Sequence, residues 1–476
     1  MDTVNRQKPA PAFHTLRSVL YLFPCCFFLL CSCYSHQRKQ AAAPGDFPGI
    51  RARGEITAVT LNASTSYFRY KMQPMGYEYE LIADFARSHQ LQLNVKTAEN
   101  VTRLTEMLQA GEADVVAYPI QVSSRLREDF LFCGREQQTS LVLVQRAGRD
   151  GTVLTDVTQL VGKEVHIKSN TRYRERLDHL NMELGGGIRI REPEKDTVTT
   201  EDLIAMVSHG EIDCTVCEDD VARLNRTYYR NIDIRLAISF RQRSSWVVRK
   251  NNPLLAEAIN EWASGKTGEN TYLAASKRYF ELSKNAFSGI EAPEIVNGQI
   301  SAYDSLFRLY APQIGWDWRL LASVACQESR FEPGRVAWSG AEGLMGIMPA
   351  TSKSLGYQPN DMKDPEKCIR AGVECLRRFG QRFPEAPDSL ERIKFTLASY
   401  NAGPGHVNDA RRLAEKYGKN PALWSGHVAE FICLKSEPAY YADSVCRYGY
   451  LRGKETFDYV TEVLERYRFY LEKTGK

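Results

Sequence analysis

The chain has 476 residues, 43% of them hydrophobic and 25% charged, which excludes fibrous and disordered classes and leaves room for about two to four domains. Lys plus Arg number 62 against 58 for Asp plus Glu, and a formal charge of +4 over this length leaves no footprint for nucleic acid. The 24 tyrosines are compatible with carbohydrate or peptide surfaces and establish neither.

At the N-terminus, basic Arg6, Lys8 and Arg17 precede the apolar run VLYLFPCCFFLLCSC, which stops at Ser-His-Gln-Arg-Lys. The run is too short for a comfortable membrane span and suits the apolar core of a signal peptide. Its end, Leu30-Cys31-Ser32-Cys33, resembles the lipobox of bacterial lipoproteins. That resemblance implies cleavage after residue 32 and a lipid on Cys33, so that the membrane is a partner through its acyl anchor. Residues 33–53 then read as a polar tether rich in Ala, Pro and Gly.

Eight of the 12 cysteines lie beyond this segment, and an oxidising compartment would allow them to pair. Cys433 and Cys446, which bracket a loop containing Pro and Tyr, are the first disulfide candidate, and Cys368 with Cys375 the second. Cys214 and Cys217 form a lone CxxC. A zinc site needs a second ligand pair and the eight histidines show no suitable cluster, so no metal and no cofactor is expected.

From Gly54 onward strand-like and helix-like runs alternate. EITAVTLN reads as a strand, YEYELIADFARSHQ as an amphipathic helix, LQLNVKTA as a strand, and LTEMLQAGEADVVAYPI as helix, turn and strand. This order predicts an α/β unit with parallel pairing. About 99 positions later LIAMVSHGEIDCTVCEDD repeats the last scheme, which predicts two similar lobes. Residues 54–275 form this unit and 276–296 a linker punctuated by Gly and Pro.

From residue 297 to 476 the pattern is helical: SAYDSLFRLYAPQIG, WRLLASVACQESRF, PEKCIRAGVECLRRFGQRF, SLERIKFTLASYNAG and TFDYVTEVLERYRFYLEK. The fold class is therefore multidomain, a bilobed α/β part followed by an all-α part. In GWDWRLLASVACQE, Asp317 is an N-cap and Leu321, Val324, Ala325 and Glu328 recur at i, i+3, i+4 and i+7. Glu328 thus falls on the buried stripe. A carboxylate there loses hydration, which favours the protonated form that a general acid needs, although a structural ion pair explains such a residue equally well.

Two resemblances follow from these residues. GYEYELIADFARSHQLQL, LTEMLQAGEADVVAYPI and SSRLREDF resemble the family-three solute-binding domains of bacterial periplasm, which close on amino acids or small peptides. The resemblance implies an arginine that clamps a ligand carboxylate bidentately. Arg125 is the best placed, with Arg127 as rival because the spacing to Phe130 does not set the register. Tyr67 and Phe68 are candidates for the cleft wall or for the core. The implied ligand is amino-acid-like or a muropeptide.

In the helical part, Glu328-Ser329, Gly340 to Met345, Met348 to Thr351, Tyr400 to Gly403 and Glu455 to Val460 match, in order, the motifs of the lysozyme-like domain of lytic murein transglycosylases. The resemblance implies peptidoglycan glycan strands as partner and an outer-membrane address facing the periplasm. Glu328 becomes the acid, then the base that activates the C6 hydroxyl of N-acetylmuramic acid, with the N-acetyl group assisting; the product is a 1,6-anhydro end. Tyr400 is the candidate to hold a hydroxyl toward Glu328 or the leaving oxygen. Met345, Met348, Asn401 and Tyr459 are candidates to line the glycan groove, with core or turn roles as the alternative for the methionines and Asn401. Glu332 and Glu342 lack a burial signal for a second acid, as a two-carboxylate glycosidase requires. Two positions depart from the family: Gly346 stands where glutamine is usual, and Ala337 where serine is frequent. A single-glutamate muramidase and a non-catalytic peptidoglycan receptor are the alternative readings.

Overall fold

A computed structural model describes residues 46–148, 153–168, 171–193, 198–284, 295 and 298–475. Cys33 lies outside them. Helix α1 (Phe47–Arg53) is followed by β1 (Glu55–Leu61), the hairpin β2 (Phe68–Tyr70) and β3 (Gln73–Met75), α2 (Tyr77–Ser88), β4 (Gln92–Ala98), α3 (Val101–Gln109) and β5 (Val115–Gln121). The short α4 (Ser124–Asp129) leads into β6 (Phe130–Thr139). Strands β4, β1 and β5 pair in parallel, as the alternation predicts, and their burial is near-continuous at β1 because helices cover both faces.

One residue, Ser140, then carries the chain into a second lobe: β7 (Leu141–Arg146), β8 (Glu164–His166), α5 (Arg172–Glu183), β9 (Arg189–Arg191), α6 (Thr200–His209), β10 (Cys214–Glu218), α7 (Asp219–Arg226) and β11 (Ile232–Asp233). Strand β12 (Gln242–Arg249) returns to the first sheet, antiparallel to both β5 and β6. The sheet orders are β4-β1-β5-β12-β6 and β11-β7-β10-β8-β9. Helices α8 (Pro253–Ser264) and α9 (Lys266–Ser276) close the first lobe. The sequence echo is real: α3 with β5 and α6 with β10 share one plan, and each helix ends near a left-handed glycine, Gly111 and Gly210, that lets the chain reverse into the strand.

The remaining elements are helical: α10 (Asp304–Tyr310), α11 (Trp318–Ser329), α12 (Pro349–Ser354), α13 (Pro365–Gly380), α14 (Ser389–Ala402), α15 (Pro404–Lys416), α16 (Ala429–Leu434), α17 (Pro438–Tyr441) and α18 (Gly453–Thr474). They enclose one apolar core that includes Leu321, Val324, Ala325, Leu397 and Val463. At its edge the fully buried Lys435 ammonium is neutralised by Asp409, which also accepts from the backbone of Arg447 and Tyr448 and so ties the 443–450 loop to α15.

The expected disulfides are absent: all eight described cysteines are free thiols. Cys368 and Cys375 lie seven residues apart on α13, about 10 Å along its axis, beyond the reach of a disulfide. The Cys446 thiol turns instead to the Tyr440 carbonyl, and burial pushes both Cys433 and Cys446 up to about 11, away from reactive thiolate.

Candidate active site

Helix α11 begins where the Asp317 side chain accepts from the Arg319 backbone and pairs with its guanidinium at 2.7 Å, as the capping pattern predicts. Its apolar stripe packs on α18, and the helix stops because Arg330 and Phe331 adopt left-handed φ values of 52° and 66°. Glu328 sits in the last turn. Its neighbour Ser329 is fully buried and does the anchoring: its hydroxyl bonds the Ala325 carbonyl at 3.0 Å and the Leu344 carbonyl at 2.8 Å, and receives the Phe331 amide at 3.1 Å. The helix end and the Gly-rich loop are thereby tied together beside Glu328.

Around Glu328 the geometry is specific. The Tyr459 hydroxyl donates to Oε1 at 2.9 Å from α18. Burial, reinforced by the Glu328 charge, holds the Tyr459 phenol well above its usual range, so it remains a donor at neutral pH. Gly346 forms the floor: a Cβ there would lie 2.1 Å from Glu328 Oε2, so no side chain fits beside the carboxylate as it stands. The Tyr400 hydroxyl departs from expectation. It donates 2.7 Å to the Met345 carbonyl and fixes the loop, while its ring faces the site.

The other expected residues divide. Asn401 accepts from the Thr456 hydroxyl at 2.8 Å, joining the α14 terminus to α18. Met345 packs against Gly372 on α13 and Met348 is 3% exposed, so both side chains belong to the interior rather than to an open groove. Glu332 is exposed, and Glu342 is half-buried with its backbone bridging Val336 and Ile347. In the first lobe Arg125 and Arg127 are both exposed on α4, and the residue between them, Leu126, is the one that packs inward. The Tyr67 ring lies 5.5 Å from that of Tyr79, tilted by 59°, and Phe68 lines a cavity between the first lobe and the helical part.

One participant escaped the sequence reading. The β2–β3 hairpin of the first lobe reaches into the site, and Lys71 at its tip places Nζ 3.3 Å from Glu328 Oε1, 3.2 Å from Oε2 and 3.3 Å from the Gly346 carbonyl. The adjoining Met72 packs on Gly403, and the Arg69 carbonyl accepts from His406 at 3.0 Å. The sequence hint was FRYKMQPM, a strand-turn-strand run whose turn holds Lys-Met where Asn-Gly is usual.

Residues 57–282 match the model of bacterial extracellular solute-binding proteins, family 3, and residues 305–423 match that of the transglycosylase SLT domain. The chain thus joins a solute-binding module to a transglycosylase module, with a first-lobe lysine in contact with Glu328. Over 430 residues it is 33% identical to the membrane-bound lytic murein transglycosylase F of Desulfosudis oleivorans, covering 89% of this chain and 91% of that one. The protein of the same name from Pseudomonas fluorescens Pf0-1 is 29% identical over 429 residues, 89% of this chain and 86% of that one. The chain belongs to the membrane-bound lytic murein transglycosylase F family. Among solved structures, an ancestral cationic amino acid solute binding protein is 17% identical with a TM-score of 0.42, over 49% of this chain and 99% of that one. Among the described residues no helix is long and apolar enough to cross a membrane.

Proposed function

We propose that this protein cleaves the β-1,4 bond between N-acetylmuramic acid and N-acetylglucosamine in peptidoglycan as a lytic transglycosylase, with Glu328 as the acid and then the base. The carrying observation is the Glu328 carboxylate at the end of a buried helix, with the Tyr459 hydroxyl on one oxygen and the Gly346 floor beneath the other. Glu328 gives its proton to the glycosidic oxygen, and the N-acetyl group of the sugar stabilises the cationic centre that develops at C1. The resulting carboxylate then takes the C6 hydroxyl proton as that oxygen closes on C1, forming the 1,6-anhydro ring without water. Tyr459 holds the carboxylate in line and Tyr400 acts through the loop, as a positioning residue.

Two further parts of the reading concern where and when. A lipid on Cys33 would hold the enzyme at the outer membrane facing the periplasm; the names of its relatives support a membrane association. The amino-terminal lobes bind an amino-acid-like or muropeptide ligand and modulate access to Glu328. Support for this lies in the direct contact of a first-lobe lysine with that carboxylate.

Mass spectrometry of the products released from peptidoglycan sacculi tests the chemistry, comparing the full chain with Glu328→Gln in both the parent and a Lys71→Ala background. Anhydro-ended muropeptides are expected, reduced by about 10² to 10⁴ in the glutamine variants. Reducing ends would instead make the enzyme a muramidase. Binding of sacculi without release from any of these proteins would leave only a receptor.

A further inference from the structure

The catalytic centre holds a complete coordination shell for a primary ammonium. Two carboxylate oxygens and the Gly346 carbonyl receive the N–H groups of Lys71, and the Tyr400 ring lies 5.3 Å from its nitrogen, within cation–π range. The lysine and glutamate side chains are only 9% and 11% exposed, so the pair is withdrawn from solvent.

Two features are built around this contact. The first is Gly346, at φ 58°, whose missing side chain leaves both the carboxylate position and its own carbonyl open to the nitrogen. A side chain at this position would meet Glu328 where it now stands. The second is the hairpin tip, where Lys71 and Met72 take φ values of 46° and 67° although neither is glycine. Such a turn is conformationally costly and persists where surrounding contacts over-determine it. Here those contacts are the ones the ammonium makes with Glu328 and Gly346 and Met72 makes with Gly403.

We propose that the Glu328–Gly346–Tyr400 constellation is a primary-ammonium site, filled in this conformation by Lys71, that takes soluble unbranched alkylammonium ions when the lysine is removed. An ammonium seated there fills the space that the glycosidic oxygen must enter to take a proton from Glu328, so the ion is an inhibitor of the reaction. This consequence rests on the catalytic role proposed for Glu328; the binding itself does not.

The test is rescue of the truncated side chain. In the full-length Lys71→Ala protein, n-propylammonium replaces the atoms deleted beyond Cβ, and tetramethylammonium at equal ionic strength supplies charge without N–H donors. Calorimetry should show one n-propylammonium bound per Lys71→Ala chain, none in the parent, and binding about tenfold or more weaker in Lys71→Ala/Glu328→Gln. On sacculi, Lys71→Ala should exceed the parent rate several-fold, and n-propylammonium should return it toward the parent rate. Lys71→Gly, whose left-handed backbone is relaxed, repeats the experiment with n-butylammonium should the alanine variant fold poorly. Equal effects of n-propylammonium and tetramethylammonium in calorimetry would overturn the site. Absence of muropeptide release from every variant would instead remove the catalytic reading and leave the calorimetric result to decide the ammonium site alone.

Discussion

Glu78 stands in the first turn of α2 with its carboxyl enclosed between the Trp246 indole, which donates at 2.7 Å, and the Gln137 amide at 3.1 Å. Burial raises it from the ordinary carboxylate range to about 7, against the pull of those two donors. The folded state therefore holds a proton that the unfolded chain releases near 4.5. Stability from this group is fully present below that pH and is lost as pH rises to about 7. Glu78→Gln is expected to flatten the decline between pH 5 and pH 8 by up to roughly 3 kcal/mol. Urea denaturation of both proteins at the two pH values measures it, and parallel declines would mean that the carboxyl is solvated. Nothing in YEYELIAD marks Glu78 as buried, because its enclosure depends on β12, which arrives some 170 positions later. Glu328 was easier to find, since its burial follows from the period of its own helix.

Among the elements, α11, the Gly-rich loop and α13 form the rigid frame of the site. Gly372 on α13 shows how tightly they meet: an added Cβ would lie 2.7 to 2.9 Å from the side chain of Met345, including its own Cβ. Alanine normally improves a helix by about 1 kcal/mol over glycine. Here Gly372→Ala is expected to reverse that sign and cost about 1–3 kcal/mol through overpacking, read as a lower urea midpoint at unchanged slope. A midpoint at or above the parent's would show that Met345 yields freely. The helices carrying the motifs were readable because capping and periodicity reside within each segment, as Asp317 and the α11 stripe illustrate. The short α16 and α17 and the strands of the β2–β3 hairpin carry no such signal, since three to six residues make too little pattern to outweigh their neighbours.

Across the whole molecule, the lobes and the helical part are held together around Glu201 of α6. Its carboxylate accepts from Ser64 at 2.5 Å in the first lobe and from Tyr450, and lies 3.5 Å from Arg452. Arg452 in turn stacks 3.8 Å from the Tyr228 ring and bonds Asn225 at 3.0 Å. Lys168 and Glu437 add a second bridge at 3.1 Å. Glu201→Ala removes one of the two carboxylates beside the almost buried Arg452 guanidinium, leaving Glu455 at 2.6 Å, and also removes the acceptor of Ser64 and Tyr450; it is expected to disfavour this docked arrangement by about 2 kcal/mol. Sacculus cleavage should then rise by up to about tenfold as Lys71 leaves Glu328, with a larger radius in small-angle scattering. An unchanged rate and radius would show that the hairpin stays seated without this latch.

The amino-acid order alone was enough for the bilobed α/β half, the helical half, their sequence of motifs and the candidate carboxylate at the end of α11. Each of these is written in a period, a cap or a spacing within one stretch of chain. Tertiary structure decided the rest: Tyr459 rather than Tyr400 carries the hydroxyl on Glu328, Leu126 rather than its flanking arginines turns inward, and Lys71 fills the site from 257 residues away. Contacts of that range depend on how finished elements pack against one another, and a side chain that becomes a partner only through such packing leaves no mark on the residues beside it.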